Sequence, residues 1–175
     1  MAADFLFDGS QLMIDTDSAN DVIQVDRVDI ENPFFDFSFL RVEHGHQTEA
    51  NGVVVDGYRF YAFPSVTSIH FHGNAGNDRF INNTSINSVA YGGAGTDVLW
   101  GGSGNDELYG ELGNDVIFGW AGNDLLVGAA GNDQLFGGAG ADQLHAGTGT
   151  DLANGGSGID ELVGRVSGNA YLVNN

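Results

Sequence analysis

From Gly92 to Val163 the chain is eight consecutive nonapeptides with no insertion. They read GGAGTDVLW, GGSGNDELY, GELGNDVIF, GWAGNDLLV, GAAGNDQLF, GGAGADQLH, AGTGTDLAN and GGSGIDELV. A short fixed period constrains a fold more than any other sequence feature, because every unit must sit on its neighbour in the same way. Position 4 is always glycine: Gly95, Gly104, Gly113, Gly122, Gly131, Gly140, Gly149 and Gly158. Position 6 is always aspartate: Asp97, Asp106, Asp115, Asp124, Asp133, Asp142, Asp151 and Asp160. Position 8 is always apolar: Leu99, Leu108, Ile117, Leu126, Leu135, Leu144, Ala153 and Leu162.

Each column has a physical cause. Glycine permits left-handed backbone and close approach, so positions 1 to 6 are expected to turn tightly. Positions 7 to 9 are rich in β-branched, aromatic and leucine side chains that suit a short strand. Strand neighbours alternate faces, so the invariant apolar position 8 points inward and positions 7 and 9 outward. One such unit buries nothing alone. Two make one flattened coil, and stacked coils give two parallel sheets with the position-8 side chains between them. Equivalent residues two repeats apart then lie about 4.8 Å from one another.

That stacking decides the chemistry. Asp97, Asp115, Asp133 and Asp151 form a column at one edge, and Asp106, Asp124, Asp142 and Asp160 a column at the other. Carboxylates so close repel unless a cation lies between them. Glycine turns also supply free carbonyls. Carboxylate and carbonyl oxygens, without His or Cys, are hard ligands that favour calcium over zinc or copper, and a flexible cage favours calcium over magnesium.

The run resembles the RTX, or hemolysin-type, calcium-binding repeat, G-G-x-G-x-D-x-U-x with U apolar. The resemblance implies an all-β, right-handed parallel β-roll, with calcium between stacked turns, held by position-6 aspartates and backbone carbonyls. It implies sites between Asp97 and Asp115, Asp115 and Asp133, Asp133 and Asp151, and on the other edge between Asp106 and Asp124, Asp124 and Asp142, and Asp142 and Asp160. A degenerate unit, GNAGNDRFI, precedes the array and keeps Gly76, Asp78 and Phe80. Asp78 precedes Asp97 by one position more than a regular coil, and a seventh site between them is expected. In the next segment, Asn82 to Tyr91, Asn87 is read in the aspartate column, which argues against calcium there. Glu111, Trp120 and Ala129 replace glycine at position 2, and Ala146 at position 1, where strained turns are expected. Thr96, Ala141, Thr150 and Ile159 at position 5 make weaker repeats.

The remaining chain is read around this array. Residues 1–72 are β-like, with candidate strands at 11–14, 21–25, 34–43, 52–63 and 67–71 punctuated by Gly9, Asn32-Pro33, Asn51-Gly52 and Pro64. Ala19-Asn20-Asp21-Val22-Ile23 echoes the repeat, and Asp21 precedes Asp78 by three times the spacing from Asp78 to Asp97. The expectation is an early degenerate coil plus a β-rich cap, since bare roll ends expose unpaired strand edges. The expected division is 1–72 as cap and degenerate coils, 73–163 as the roll, and 164–175 as a tail with a last strand at Tyr171-Leu172-Val173.

Charge bounds the partners. Aspartate and glutamate total 24 against five arginines and no lysine, for a net charge of −19. That argues against nucleic acid or an anionic membrane as partner. With 42% hydrophobic residues and dispersed acids, a disordered acidic tail is a poor reading as well. About seven calcium ions would bring −19 to about −5, ordinary for a soluble domain. There is no cysteine, so neither disulfides nor thiolate sites are available. No apolar stretch is long enough to span a membrane. MAADFLFDGS carries neither the basic segment nor the long apolar core of an intact export signal.

Smaller features also bear on function. Asp15, Asp17 and Asp21 form either a further calcium site or a polar turn before a strand. His44 with His46, and His70 with His72, are His-x-His pairs with no framing carboxylate motif. His145 falls in an outward slot. Trp100, Phe118 and Phe136 should stack on one outer face beside Val98, Val116 and Leu152, with Tyr109 and Val127 on the other. Such a ladder is either an interface or a surface covered by the N-terminal segment. No metalloprotease helix, nucleophile elbow or phosphate loop is present. The expectation is therefore a secreted or cell-surface calcium-binding structural or binding module, not an enzyme. The alternative is a calcium-stabilised filament, surface-layer or matrix protein assembling through the roll ends or the Trp100/Phe118/Phe136 face.

Overall fold

Position 8 sets the architecture. In the computed structural model, Leu99, Leu108, Ile117, Leu126, Leu135, Leu144 and Ala153 are fully buried, and Leu162 packs against them. The structure describes the backbone of residues 4–8, 11–16, 21–32, 35–48, 52–62, 66–163 and 170–172, and the side chains of 11–16, 21–25 and 66–163. The described residues hold strands and turns and no helix.

Two sheets enclose that core. One takes β1 (Asp4–Asp8), β2 (Gln11–Asp15), β6 (Ser68–His72), β8 (Asn87–Gly95), β10 (Glu107–Gly113), β12 (Leu125–Ala130), β14 (Gln143–His145) and β16 (Glu161–Val163), in that order. The other runs from β17 (Ala170–Leu172) through β15 (Leu152–Ser157), β13 (Gln134–Ala139), β11 (Val116–Ala121), β9 (Val98–Gly102) and β7 (Arg79–Asn82) to β3 (Asp21–Asn32), β4 (Phe35–Thr48) and β5 (Gly52–Ala62). Successive strands of the array alternate between sheets, so the molecule is a parallel β-solenoid. Within the array the register is the expected two repeats: Leu108 pairs with Leu126, and the column Leu99, Ile117, Leu135 and Ala153 pairs in turn.

Three details differ from the sequence reading. First, most strands of the array run past position 9, while β14 and β16 end there. β11 covers positions 7 to 9 and runs on through Gly119, Trp120 and Ala121, positions 1 to 3 of the next unit. Between β11 and β12 only positions 4 to 6 turn, because positions 1 to 3 still pair with their neighbours, Trp120 with Gly102 and Gly138. Position 2 is left-handed while paired: φ is 74° at Glu111, 76° at Trp120 and 73° at Ala129. These residues thus hold strained backbone where other repeats place glycine.

Second, Ser88, not Asn87, occupies the aspartate column. The register is one position longer where Ile81 pairs with Trp100 than where Val89 pairs with Glu107. The extra residue therefore falls in the Asn82–Asn87 turn and shifts the column by one. Third, the strand at Asp4–Asp8 lies outside the expected set.

The N-terminal end continues the roll before closing it. β2 lies beside β6 and β3 beside β7, both parallel. Their register, Leu12 on Ile69 and Ile23 on Phe80, is the one that the spacing of Asp21 from Asp78 suggested. Leu12, Ile14, Ile23 and Val25 extend the core as a degenerate coil. Beyond it the pairing turns antiparallel, β1 on β2, β4 on β3 and β5 on β4. Both sheets thus end at this side in antiparallel strands. At the other end β17 pairs with β15, near the expected last strand.

Candidate metal centre

The aspartates stand in two columns at the turns. Each carboxylate reaches toward the preceding coil. The Asp97 N–H donates to Asp115 Oδ1 at 2.8 Å, that of Asp115 to Asp133 and that of Asp133 to Asp151, each at 2.9 Å. Above them Asp21 donates to Asp78 and Asp78 to Asp97. The other edge runs from Ser88 to Asp106, Asp124, Asp142 and Asp160. Ser88 adds its hydroxyl, which donates to Asp106 Oδ1 at 2.8 Å.

In seven of these carboxylates one oxygen is spoken for and the other is not. The Oδ2 atoms of Asp97, Asp106, Asp115, Asp124, Asp133, Asp142 and Asp160 are buried and accept no hydrogen bond. Each faces the glycine at position 1 of its own repeat, closely enough that a side chain there would collide with it. A Cβ on Gly128 would lie 2.5 Å from Asp133 Oδ2 and 2.6 Å from the Ala146 carbonyl oxygen of the next coil. Gly119 repeats this with Asp124 and the Gly137 carbonyl, and Gly137 with Asp142 and the Gly155 carbonyl. At Gly73 the same cradle holds Asp78 Oδ2 and the Gly92 carbonyl. A carboxylate oxygen and a carbonyl oxygen therefore converge on a bare α-carbon between consecutive coils. Buried anionic oxygens without donors are costly, and this donor set suits a hard cation. In the repeat of Asp151, position 1 is Ala146, fully buried, so a methyl group stands where other repeats leave space.

The position-4 glycines stack as columns of their own: Gly76, Gly95, Gly113, Gly131 and Gly149 at one edge, Gly104, Gly122, Gly140 and Gly158 at the other. The Gly95 carbonyl abuts the Gly113 α-carbon, and the Gly113 carbonyl that of Gly131, leaving no room for any Cβ. φ there is 137° at Gly113 and 142° at Gly131.

The electrostatics follow from burial. Desolvation pushes Asp106, Asp115 and Asp133 up to about 6 and Asp124 up to about 7. The incoming N–H bond opposes the rise, and the stacked neighbours Asp106 and Asp142 add to it at Asp124. Asp97 and Asp142 rise for the same leading reason. Among the described residues no three His, Cys, Asp or Glu side chains gather closely enough to hold an ion by themselves. A cation here must draw on backbone carbonyls.

A second polar ladder lies beside the first and has no counterpart in the sequence reading. Asn105 N–H donates to Asn87 Oδ1, Asn123 to Asn105, Ala141 to Asn123, Asn132 to Asn114, and Thr150 to Asn132. Its bonds run opposite to the aspartate ladder, so position 5 ties each turn to the following one and position 6 to the preceding one. The asparagine-rich position 5 was the available signal.

Other candidates fall outside the columns. The Asp15 carboxylate, at the end of β2, accepts from the Asn74 amide at 2.7 Å. Asp17 lies outside the described residues, as do the side chains of His44 and His46. His70 and His72 share the outward side of β6. His72 stacks on Tyr91 and Tyr91 on Tyr109. The opposite ladder forms as expected, Phe118 on Phe136 at 4.8 Å and Trp100 edge-on to Phe118, but it also takes in Trp120.

The described residues form an all-β parallel solenoid with glycine turns and edge columns of buried carboxylates. Residues 91–126 and 127–162 match the RTX calcium-binding nonapeptide repeat, in four copies, so this stretch of the chain consists of RTX repeats. Repeats of this kind bind calcium and are typically structural rather than catalytic. No curated protein and no solved structure matches the chain.

Proposed function

We propose that this chain binds about seven calcium ions between its stacked turns and that binding drives folding of a secreted structural or binding module. The ligands are the carboxylates of Asp78, Asp97, Asp106, Asp115, Asp124, Asp133, Asp142, Asp151 and Asp160, with carbonyls of the glycine turns. The observation that carries this reading is the row of buried Oδ2 atoms without donors, converging with position-1 carbonyls. Residues 73–163 form the calcium-dependent roll, 1–72 its cap and first coil, and 164–175 a tail. Extracellular sites of this kind bind at about 10⁻⁴ to 10⁻³ M, far above cytosolic calcium, so the chain would fold after export.

Calcium titration followed by far-UV circular dichroism tests the reading, with magnesium as control. The expected result is a cooperative gain of β signal with a midpoint in or just below the millimolar range and little response to magnesium. A chain fully folded at neutral pH after exhaustive chelation would sink the mechanism. Self-assembly into a filament or matrix is the second reading, favoured by the half-exposed Trp100, Phe118 and Phe136 ladder. Electron microscopy of negatively stained protein with and without calcium separates the two.

A further inference from the structure

The turn between β7 and β8 departs from the repeat at the position that matters most to a cation. Ile81 pairs with Trp100, so Asn82 stands at position 1, where the next coil has Gly101. A buried amide thus replaces the bare glycine. The Asn82 amide donates to the Ile86 carbonyl at 2.8 Å. Its Oδ1 accepts from the Thr84 N–H at 3.0 Å and the Thr84 hydroxyl at 2.6 Å. That hydroxyl accepts in turn from the Ile86 N–H at 3.1 Å. Ser88 takes the aspartate place and gives Asp106 Oδ1 two donors, its N–H and its hydroxyl. No side-chain nitrogen or oxygen of Asn82, Thr84 or Ser88 is left buried without a partner, in contrast to the Oδ2 row of the array.

This turn therefore closes without burying a charge. Where other turns bring a carboxylate and a carbonyl together, an amide donor here meets the carbonyl and no carboxylate is present. It is also pinned on both sides. The Asn83 N–H donates to the Val25 carbonyl of β3 at 2.8 Å, and the Ser103 N–H to the Thr84 carbonyl at 3.0 Å. The coil of β7 and β8 carries one carboxylate turn, at Asp78, where each coil of the array carries two.

The far end of the roll is the reverse. Ala141 has no side-chain acceptor to offer, so the asparagine ladder stops short of Ile159, which is 87% exposed. The bond from Asp142 to Asp160 is 3.1 Å, the longest of its column. A repeat array nucleates at its most stable unit, and each ordered coil then supports the next.

We infer that the coil closed by the Asn82–Asn87 turn is the seed of the roll, and that order spreads from it toward Asp160. The inference rests on the calcium-driven folding proposed above and gives that folding a direction. With one neutral turn the seed needs fewer cations than any later coil, so it orders at the lowest calcium.

Hydrogen–deuterium exchange of the full chain, read by peptide mass spectrometry along a calcium titration, tests the direction. Residues 68–95 should gain amide protection at a calcium midpoint about threefold or more below that of residues 98–163, with residues 152–163 last. Asn82→Ala leaves a buried carbonyl and N–H unpartnered and should raise the midpoint of residues 68–95 to that of the array. Thr84→Val should act likewise, and Thr84→Ser, which keeps the hydroxyl, should not. Asn123→Ala, further along the roll, should raise the array's midpoint and leave that of residues 68–95 in place. Circular dichroism at saturating calcium checks that each variant folds. Equal midpoints in the parent, order starting at the Asp160 end, or a gap preserved in both Asn82→Ala and Thr84→Val would overturn the seed and leave calcium-driven folding intact. Protection of residues 98–163 in chelator would overturn calcium-driven folding itself, and the seed with it.

Discussion

At the scale of the residue, position 6 does two jobs with two oxygens. Oδ1 caps the backbone of the preceding coil, and Oδ2 is the oxygen that the proposed function gives to a cation. Asp124 is the most heavily perturbed, pushed up to about 7 by burial and by Asp106 and Asp142 above and below. Asp124→Asn separates the jobs, since asparagine keeps a carbonyl-type oxygen for the Asp106 N–H and loses the charge. In chelator the variant should retain more β signal than the parent at the same pH, because a buried unpaired charge is gone. With saturating calcium it should unfold at lower urea, by about 1–3 kcal/mol, because a charged ligand is gone. Equal destabilisation in both conditions would reduce Asp124 to a backbone cap.

At the scale of the element, each coil rests on its neighbours, so it is held by its position-8 side chains and by its two polar ladders. Leu126 on β12 is fully buried between β10 and β14. Leu126→Ala should cost about 2–5 kcal/mol in urea unfolding with calcium present. Asn123→Ala, which removes the acceptor for the Ala141 N–H at an exposed turn, should cost about 1 kcal/mol. If the two losses were equal, the roll would be held by its ladders and not its core. Columns at positions 4, 6 and 8 were legible in the sequence because a fixed period forces equal surroundings, and the pairing of the Asp21 segment with the Asp78 segment was legible by the same logic. The Ser88 shift was not, because one inserted residue can sit anywhere in a turn until pairing on both sides fixes it. The strain at Trp120 was legible from its place at position 2, but the position-1 cradle and the packing of Trp120 into the aromatic ladder were hidden for a related reason. With positions 1 to 6 taken as turn, nothing signals that positions 1 to 3 pair and face alternately in and out.

At the scale of the whole molecule, the proposed calcium sites would set protons and calcium in competition for one set of buried oxygens, which fixes the sign of the pH dependence. Asp106, Asp115, Asp124 and Asp133 titrate near 6 to 7 in the folded, metal-free roll, against about 3.9 in an unfolded chain. Raised folded values mean that the folded state binds more protons than the unfolded state between about pH 4 and 7. Their contribution to stability is complete below about pH 4 and is lost as pH rises through 6 to 7. The calcium-free chain should therefore be unfolded at about pH 8 and gain β signal on acidification to about pH 5, where these four carboxylates are largely neutral and ordinary surface acids still keep it soluble. Added calcium should matter much at about pH 8 and little at about pH 5. Far-UV circular dichroism in a calcium-free buffer series, repeated with calcium, reads both halves. A β signal in chelator that stays flat from pH 8 to pH 5 would show that the charge on the buried columns is not what keeps the metal-free chain from folding.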